Sequence, residues 1–237
     1  MAPANTEIRS GNRLLDCLSQ LERAKLVARG EMVSLWQGQV LHQQGAPLTY
    51  VHFPLDGVCS SVVTMATGQI VEAATIGNDG LLGAQAYLGT DVSLHTTNVQ
   101  VAGMALRLRV DVFREHAKEH RALDRIVRHY ITYAMRSANQ AVACNALHSV
   151  EERACRWLLA THDRVGDGAF PLTHEVFAEM LGTHRQTVST IAAMLQRAGL
   201  IQYRRGSVRI LNRDALEGAS CECYAVTTQL FADLVGC

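Results

Sequence analysis

Hydrophobic and polar residues follow different patterns in the two halves of this 237-residue chain. Residues 12 to 28 carry leucines at near-helical spacing, which predicts a short amphipathic helix. From Glu31 to about Leu108, short apolar runs such as Tyr50 to Phe53 and Val58 to Met65 are separated by glycines. Many short apolar runs with regular turn signals are typical of a β-sandwich, jelly roll or barrel.

The pattern changes near Val110, because neither glycine nor proline occurs from Met104 to Val165. This stretch predicts helices in three pieces, of which the longest covers Arg121 to Leu147 and the next, capped by Ser149, covers Val150 to Arg164. Spacings of four and three alternate along the longest helix through Leu123, Val127, Tyr130, Ala134, Ser137, Ala141, Cys144 and His148. We interpret this heptad pattern as the seam of a parallel homodimer; the alternative is a helix packed on its own domain.

Composition narrows the function classes only in part. Lys and Arg balance Asp and Glu at 22 each, but zero net charge does not exclude nucleic acid, since local charge decides that contact. The N-terminal ten residues lack the apolar core of a secretory signal, and no apolar run reaches membrane-spanning length. We therefore expect a cytoplasmic protein in which most of the seven cysteines are thiols.

The segment from Pro171 to Gly199 has the spacing of a helix-turn-helix. Thr173 precedes a first predicted helix over Glu175 to Leu181, and Arg185 to Arg197 form the second. The motif requires a small residue at the helix crossing, a glycine in the turn, and apolar residues that fix the crossing. These positions are filled by Ala178, by Gly182, and by Phe177, Leu181, Val188 and Ile191.

A polar face and a basic hairpin accompany this motif. The polar residues at the start of the second helix are Arg185, Gln186, Ser189 and Thr190, and such a face can enter the DNA major groove. Leu200 to Leu211 then predict a two-stranded wing with a turn at Gly206. From His184 to Arg213 there are six arginines and no acidic residue, so this segment is locally basic.

Together, these segments resemble the CRP/FNR superfamily of bacterial transcription regulators. The resemblance covers about residues 30 to 220, and its carriers are LTHEVFAEMLGTHRQTVSTIAAMLQRAGLI, YRRGSVRI, the long helix, and VLHQQGAPLTYVHFPLDGVCSSVV. It implies an α+β fold with an N-terminal helix region (1–30), a cyclic-nucleotide-binding-like β-roll sensor domain (31–118), a dimerisation helix (119–148) and a winged helix-turn-helix DNA-binding domain (149–237). It also implies a homodimer that is not an enzyme, needs no cofactor and does not bind membranes. The implied partners are double-stranded DNA with an inverted-repeat site, RNA polymerase and a small effector.

The second helix of the motif (185–197), which we call the reading helix because it would contact the DNA bases, departs from the family pattern at two positions. Family members carry an Arg-Glu-Thr-Val run followed by Ser or Gly and a second Arg, whereas this chain has Gln186 for the acid and Thr190 for the second arginine. Because Glu accepts from cytosine and Gln pairs best with adenine, we expect a different DNA site. The expected DNA-binding residues are Thr173, His184, Arg185, Gln186, Thr187, Ser189, Thr190, Arg204 and Arg205.

The residues that hold cyclic nucleotide in the family are also replaced. Members that bind it use a Gly-Glu pair and, further on, an Arg before a small polar residue; here the matching stretches are Gly83-Ala84-Gln85 and His95-Thr96-Thr97. A neutral imidazole does not replace a bidentate guanidinium on phosphate. We expect an effector other than cyclic AMP, in a pocket that includes Gly83, Ala84, Gln85, His95 and Thr96.

Three alternatives remain open. Cys221 and Cys223 form a Cys-x-Cys pair that would suit a metal- or redox-responsive regulator, but two thiols are too few ligands for a structural zinc site, and we favour packing or surface thiols with no metal. An enzyme would need a nucleophile with a base, and no such signature stands out. A non-specific architectural DNA binder would be rich in lysine, and this chain has only Lys25 and Lys118.

Overall fold

The computed structural model of the protein describes residues 10–166 and 168–236. Its helices are α1 (Arg13–Asp16), α2 (Gln20–Val27), α3 (Val110–Glu119), α4 (Arg121–Leu147), α5 (Val150–Val165), α6 (His174–Leu181), α7 (Arg185–Arg197), α8 (Arg213–Gly218) and α9 (Cys223–Val235). Its strands are β1 (Glu31–Leu35), β2 (Val40–His42), β3 (Tyr50–Pro54), β4 (Val58–Thr64), β5 (Ile70–Ile76), β6 (Thr96–Val101), β7 (Gly103–Arg109), β8 (Phe170–Pro171), β9 (Ile201–Arg204) and β10 (Ser207–Ile210). The predicted α+β class is confirmed.

The N-terminal strands form two antiparallel sheets, in the orders β1-β7-β3 and β2-β6-β4-β5. The chain passes from one sheet to the other at Ala102, between β6 and β7. The segment from Val99 to Leu108 therefore contributes strand residues to both sheets. A core lies under the sheet of β1, β7 and β3, where Phe53 and Phe113 meet edge to face with ring centroids 6.3 Å apart.

The predicted single helix over residues 12 to 28 is wrong, because α1 and α2 are separate. Helix α1 ends at Asp16 with Cys17 at its C-cap, and Ser19 then caps α2 in a capping box with Glu22. Asn12 caps α1, and its buried side-chain amide donates to the carbonyl oxygens of Pro54 and Gly80 at 2.7 and 3.0 Å. The spacing of the leucines gave no sign of this break between α1 and α2. Residues 1–9 of the expected N-terminal region lie outside the described residues.

The long helix has the predicted bounds, but part of the predicted seam faces its own domain. Leu123, Val127 and Tyr130 are buried in the same core as Phe53 and Phe113. For these three residues the structure supports the alternative of intramolecular packing. A heptad pattern identifies an apolar face, whereas the element that covers the face depends on tertiary contacts.

A different stripe on α4 is open to solvent. Met135, Ala138 and Val142 are exposed, whereas Ile131 is half-buried against the core of Phe53 and Phe113. The four residues follow one another at spacings of four, three and four. Met135 and Val142 are 66% and 70% exposed. The C-terminal helix α9 packs along another side of α4, where Tyr133 and Phe231 meet edge to face at 5.1 Å.

The second core belongs to the C-terminal half and contains Trp157, Phe177, Val188 and Val208 from α5, α6, α7 and β10. The predicted span of Val150 to Arg164 for α5 agrees with the structure to within one residue. Helices α8 and α9 have no counterpart among the predicted elements. Phe231 belongs to the predicted C-terminal domain (149–237) but packs in the N-terminal core. The predicted domain boundary at residue 149 stays a prediction.

Polar contacts join the C-terminal half to the sheets. The Trp157 indole donates to the buried Glu72 carboxylate on β5 at 2.7 Å. Arg164 of α5 donates to both carboxylate oxygens of Asp79 at 2.9 and 2.7 Å. Asp79 lies in the turn that follows β5. Among the helices of residues 10–166 and 168–236, none has the length and hydropathy to cross a bilayer.

Candidate nucleic-acid interface and cysteine cluster

Helices α6 and α7 form the helix-turn-helix that the sequence predicts. All the apolar crossing residues are buried, and Ala178 at the crossing is 6% exposed. Gly182 ends α6 with a φ of +61°, a conformation that glycine adopts without the strain a side chain would bring. An added Cβ there would also lie 3.1 Å from Val71 of β5. The turn is therefore specified both by the backbone and by the neighbouring sheet.

The first turns of α7 present a polar surface. Arg185, Gln186 and Thr190 are exposed, whereas Thr187 and Ser189 are half-buried. The Ser189 hydroxyl lies 2.8 Å from Nδ1 of His174 and 3.0 Å from the Arg185 carbonyl oxygen, and the Thr190 hydroxyl donates to the Gln186 carbonyl at 3.2 Å. These contacts hold the two hydroxyl groups close to the helix surface, whereas the longer side chains of Arg185 and Gln186 are exposed.

Arg185 has a partner that the sequence analysis missed. Its Nε lies 2.5 Å from the Glu175 carboxylate on α6, and both side chains are more than half exposed. Exposed ion pairs contribute only about 0–1 kcal/mol, so this pair costs little to exchange for another anion or for a guanine edge. Glu175 lies outside the acid-free segment from His184 to Arg213, and only the fold brings it next to Arg185.

Two residues cap the helices of this motif. Thr173 caps α6 by accepting from the Val176 N–H at 3.2 Å, which leaves its hydroxyl hydrogen for another acceptor. His184 occupies the N-cap position of α7, is exposed, and makes no side-chain capping bond. The first N–H groups of α7 consequently lack a side-chain cap, which favours an anion at this end.

The wing is a hairpin of β9 and β10 closed by a two-residue turn. Arg205 and Gly206 both have positive φ, at +51° and +74°, as a type I′ turn requires. Arg204 and Arg205 are exposed at this tip. Tyr203 anchors the wing, because its hydroxyl donates to the Leu172 carbonyl and its ring lies 4.6 Å from that of His174. Burial raises the pKa of Tyr203 to about 12, so it stays a neutral donor.

The tip of the β4–β5 hairpin lies against the helix-turn-helix. A cleft there is lined by Met65, Gly68, Gln69, Ile70 and Val71 on the hairpin side and by Ala178, Glu179, Gly182, Thr183 and His184 on the other. Nearby, the Ser60 hydroxyl lies 3.4 Å from the sulfur of Met180 on α6. The sheet domain thus contacts the turn that leads into α7.

Two residues of the expected effector pocket, Gly83 and Thr96, lie near β2. Gly83 begins a 3₁₀ helix over Ala84–Leu88, and an added Cβ would lie 3.2 Å from the His42 ring. The Thr96 hydroxyl accepts from the Gln44 N–H at 3.2 Å, and Gln85 and His95 are half-buried. Burial lowers the pKa of His42, so this imidazole is neutral at pH 7 and gives no positive charge for a phosphate.

The fold brings Cys221 and Cys223 together with two residues from the end of α4. Cys144 lies in the last turn of α4 and His148 at its C-cap, and the four possible ligand atoms lie within 4.8 Å of one another. Cys59, Cys144, Cys155, Cys221 and Cys223 are all free thiols. Sequence reasoning counted only two ligands here. The Cys-x-x-x-His spacing, which puts both side chains on one helix face, was the missed signal.

Comparisons with known proteins agree with this architecture. Residues 152–219 match the Crp-like helix-turn-helix domain family. No curated protein matches the sequence significantly. FixK2 from Bradyrhizobium japonicum is similar in structure, with a TM-score of 0.70 and 15% identity over 81% of this chain and 98% of that one. A CRP-family transcriptional regulator from Thermus thermophilus gives a TM-score of 0.66 and 21% identity over 81% and 99% of the two chains.

A third similar structure is the c-di-GMP-responsive global regulator CLP from Xanthomonas campestris. It has a TM-score of 0.63 and 12% identity over 82% of this chain and 100% of that one. At these identities, the structural likenesses establish the fold. The match over residues 152–219 identifies the helix-turn-helix domain itself.

Proposed function

We propose that this chain, a CRP/FNR-type transcription regulator by its Crp-like helix-turn-helix domain and its fold, binds an inverted-repeat DNA site as a homodimer. The observation that carries the proposal is the exposed polar start of α7 beside an arginine-tipped wing. A helix face of this kind fits the major groove, and a basic hairpin beside it can reach the flanking phosphates.

Each proposed DNA contact follows from side-chain chemistry. Arg185 reads guanine through O6 and N7, and Gln186 favours adenine. Thr190 is too short for a bidentate contact and is held toward its own helix, so specificity at its base pair is weak or directed to a thymine methyl group. The residues proposed to contact the sugar-phosphate backbone are Thr173, His184, Thr187, Ser189, Arg204 and Arg205.

The open stripe of α4 is the proposed dimer interface. Ile131, Met135, Ala138 and Val142 have the alternating spacing that lets two parallel helices interdigitate, and exposed apolar side chains of this size gain from burial. A twofold axis along this stripe would present two α7 helices to successive major grooves about 10 bp apart. That arrangement requires an inverted repeat.

The sheet domain is the proposed sensor. Its effector is a small molecule other than cyclic AMP, bound near Gly83–Gln85 and His95–Thr96, because no acid and no arginine occupy the positions that hold the nucleotide in the family. The contact between the β4–β5 hairpin and the α6–α7 turn gives a direct route from sensor to reading helix. RNA polymerase in the cytoplasm is the proposed partner, and we propose no catalytic activity.

Selection of bound sites from a random DNA pool, with and without metabolite extract, tests the proposal. On a selected site, Arg185→Ala should cost about 1–3 kcal/mol per half-site and relax preference at one base pair. Arg205→Ala should weaken all sequences alike and flatten the salt dependence. The matched control is Arg125→Ala, which changes an exposed arginine of α4.

Arg185→Ala should therefore change the base preference, whereas Arg205→Ala should lower the affinity for every sequence. If Arg185→Ala lowered affinity equally for selected and random DNA, Arg185 would be a phosphate contact and the assignment of α7 as the reading helix would fail. If no sequence were enriched from the pool, the architectural, non-specific alternative would replace the proposal.

A further inference from the structure

We propose that Cys144, His148, Cys221 and Cys223 form a four-coordinate site for one thiophilic divalent cation of the zinc class. The site stands on its own geometry and is independent of the proposed DNA function. Only its regulatory consequence, given below, rests on that function.

Two of the distances between ligand atoms are close to those around a tetrahedral ion, and all four atoms lie within 4.8 Å of one another. The Cys144 and Cys221 sulfurs are 3.5 Å apart, and the Cys223 sulfur lies 3.6 Å from Nδ1 of His148. With Zn–S near 2.3 Å and Zn–N near 2.0–2.1 Å, neighbouring ligand atoms of a tetrahedral zinc ion are separated by about 3.5–3.8 Å. Three thiolates and one imidazole form a soft ligand set that selects zinc-class metals over magnesium or calcium.

The groups around the ligands support the same assignment. Nε2 of His148 lies 3.0 Å from the Glu222 carboxylate, which leaves Nδ1 to face Cys223. A metal-bound histidine usually donates its other ring N–H to a carboxylate in this way. The Gln140 amide also donates to the Cys223 sulfur at 3.0 Å, a contact that orients the sulfur.

Simple packing of thiols explains less of this arrangement. The three cysteines form a small cluster of their own and are at most 3% exposed. Neither apolar packing nor a single disulfide requires an imidazole nitrogen, fixed by a carboxylate, at the fourth corner. Four protein ligands leave no open coordination position, which is typical of a structural metal site rather than a catalytic one.

The position of the site gives the metal a mechanical consequence. Its ligands come from the end of α4, from the α8–α9 connection (Cys221) and from the first residue of α9 (Cys223). Ser149, the N-cap of α5, directly follows His148. A bound ion would therefore fix the junction through which α4 is connected to the helix-turn-helix. On the proposed function, metal loading would change DNA affinity.

Metal content of the full-length protein, purified under reducing conditions without chelator, is the primary test. We expect one zinc ion per chain by elemental mass spectrometry, and thiolate-to-cobalt charge-transfer absorption after replacement by cobalt. Cys144→Ala and Cys221→Ala should lose the ion. Cys155→Ala, a buried cysteine of α5 outside the cluster, should keep it and serves as the matched control.

A milder variant keeps the test decisive if the cysteine variants fail to fold. Glu222→Gln leaves all four ligands in place and should weaken zinc about 10–100-fold in a competition with a chromophoric chelator. The proposal is overturned if the reduced wild-type protein binds no stoichiometric zinc or cobalt, if Cys221→Ala keeps the wild-type affinity, or if a Cys144–Cys221 disulfide forms and zinc does not bind after its reduction. None of these readouts involves DNA, so failure of the metal site is distinguishable from failure of the proposed function.

Discussion

Removal of one member of the Asp79–Arg164 pair should strongly destabilise the protein. The pair joins the sheet domain to α5 through two hydrogen bonds of 2.9 and 2.7 Å, and the two side chains are only 12% and 11% exposed. Arg164 also donates to the Ala160 carbonyl at 2.7 Å, and Asp79 accepts from the Gly77 N–H at 3.2 Å. A variant that lacks either charge leaves the other one buried without its counter-ion.

The size of the effect follows from this burial. Breaking a buried pair from one side costs about 3–5 kcal/mol, because the remaining charge is uncompensated. The exposed pair of Asp124 and Arg128 on α4, with side chains 33% and 66% exposed, is a natural control worth only about 0.3–0.5 kcal/mol. We therefore expect Arg164→Met to cost several times more than Arg128→Met.

Equilibrium urea unfolding measures this difference. The double variant Asp79→Asn/Arg164→Met removes both charges and should recover most of the loss, since replacing a whole buried pair is often close to neutral. The reasoning would be refuted if Arg164→Met cost less than about 1 kcal/mol, the range of exposed pairs. That result would mean that α5 does not rest on the sheet domain in solution as described above.

The pH dependence has a definite sign. Burial alone would raise the pKa of Asp79, but the charge and hydrogen bonds of Arg164 outweigh burial and hold the pKa below its ordinary value of about 3.9. A carboxyl whose pKa is lowered by folding stabilises the protein above that ordinary value, and this contribution is lost as the pH falls through the folded pKa. The wild type should lose stability relative to the double variant from about pH 4 downwards.

Two further predictions concern assembly and the sensor. Met135→Glu, on the open stripe of α4, should shift the protein from dimer to monomer in sedimentation, whereas the exposed off-stripe control Thr132→Glu should not; a wild type that stays at the 25.9 kDa chain mass at micromolar concentration would contradict the stripe as a dimer interface. Cyclic AMP should give no saturable heat in calorimetric titration, because Gln85 and His95 replace the nucleotide-holding residues, and a micromolar dissociation constant would overturn this expectation.

Local sequence determined the elements that depend on neighbours a few residues away. The bounds of α4 and α7 and the turn at Gly182 follow from residue spacing and backbone preference, both of which act within one or two helical turns. The wing was predicted for the same reason, although its strands differ from the prediction by one residue at each end. The proposed reading helix is thus visible in the sequence.

Tertiary structure decided which partner each face meets. Periodicity marked α4 as amphipathic, yet only packing showed that Tyr130 faces its own core and Met135 faces solvent. The Cys144–Cys221 contact and the Asp79–Arg164 pair join residues 77 and 85 positions apart, and neither has a signature in local spacing. Contacts between distant segments depend on how the chain closes its loops and buries its surfaces. The cluster of Cys144, His148, Cys221 and Cys223 and the Asp79–Arg164 pair therefore form only when the chain is folded.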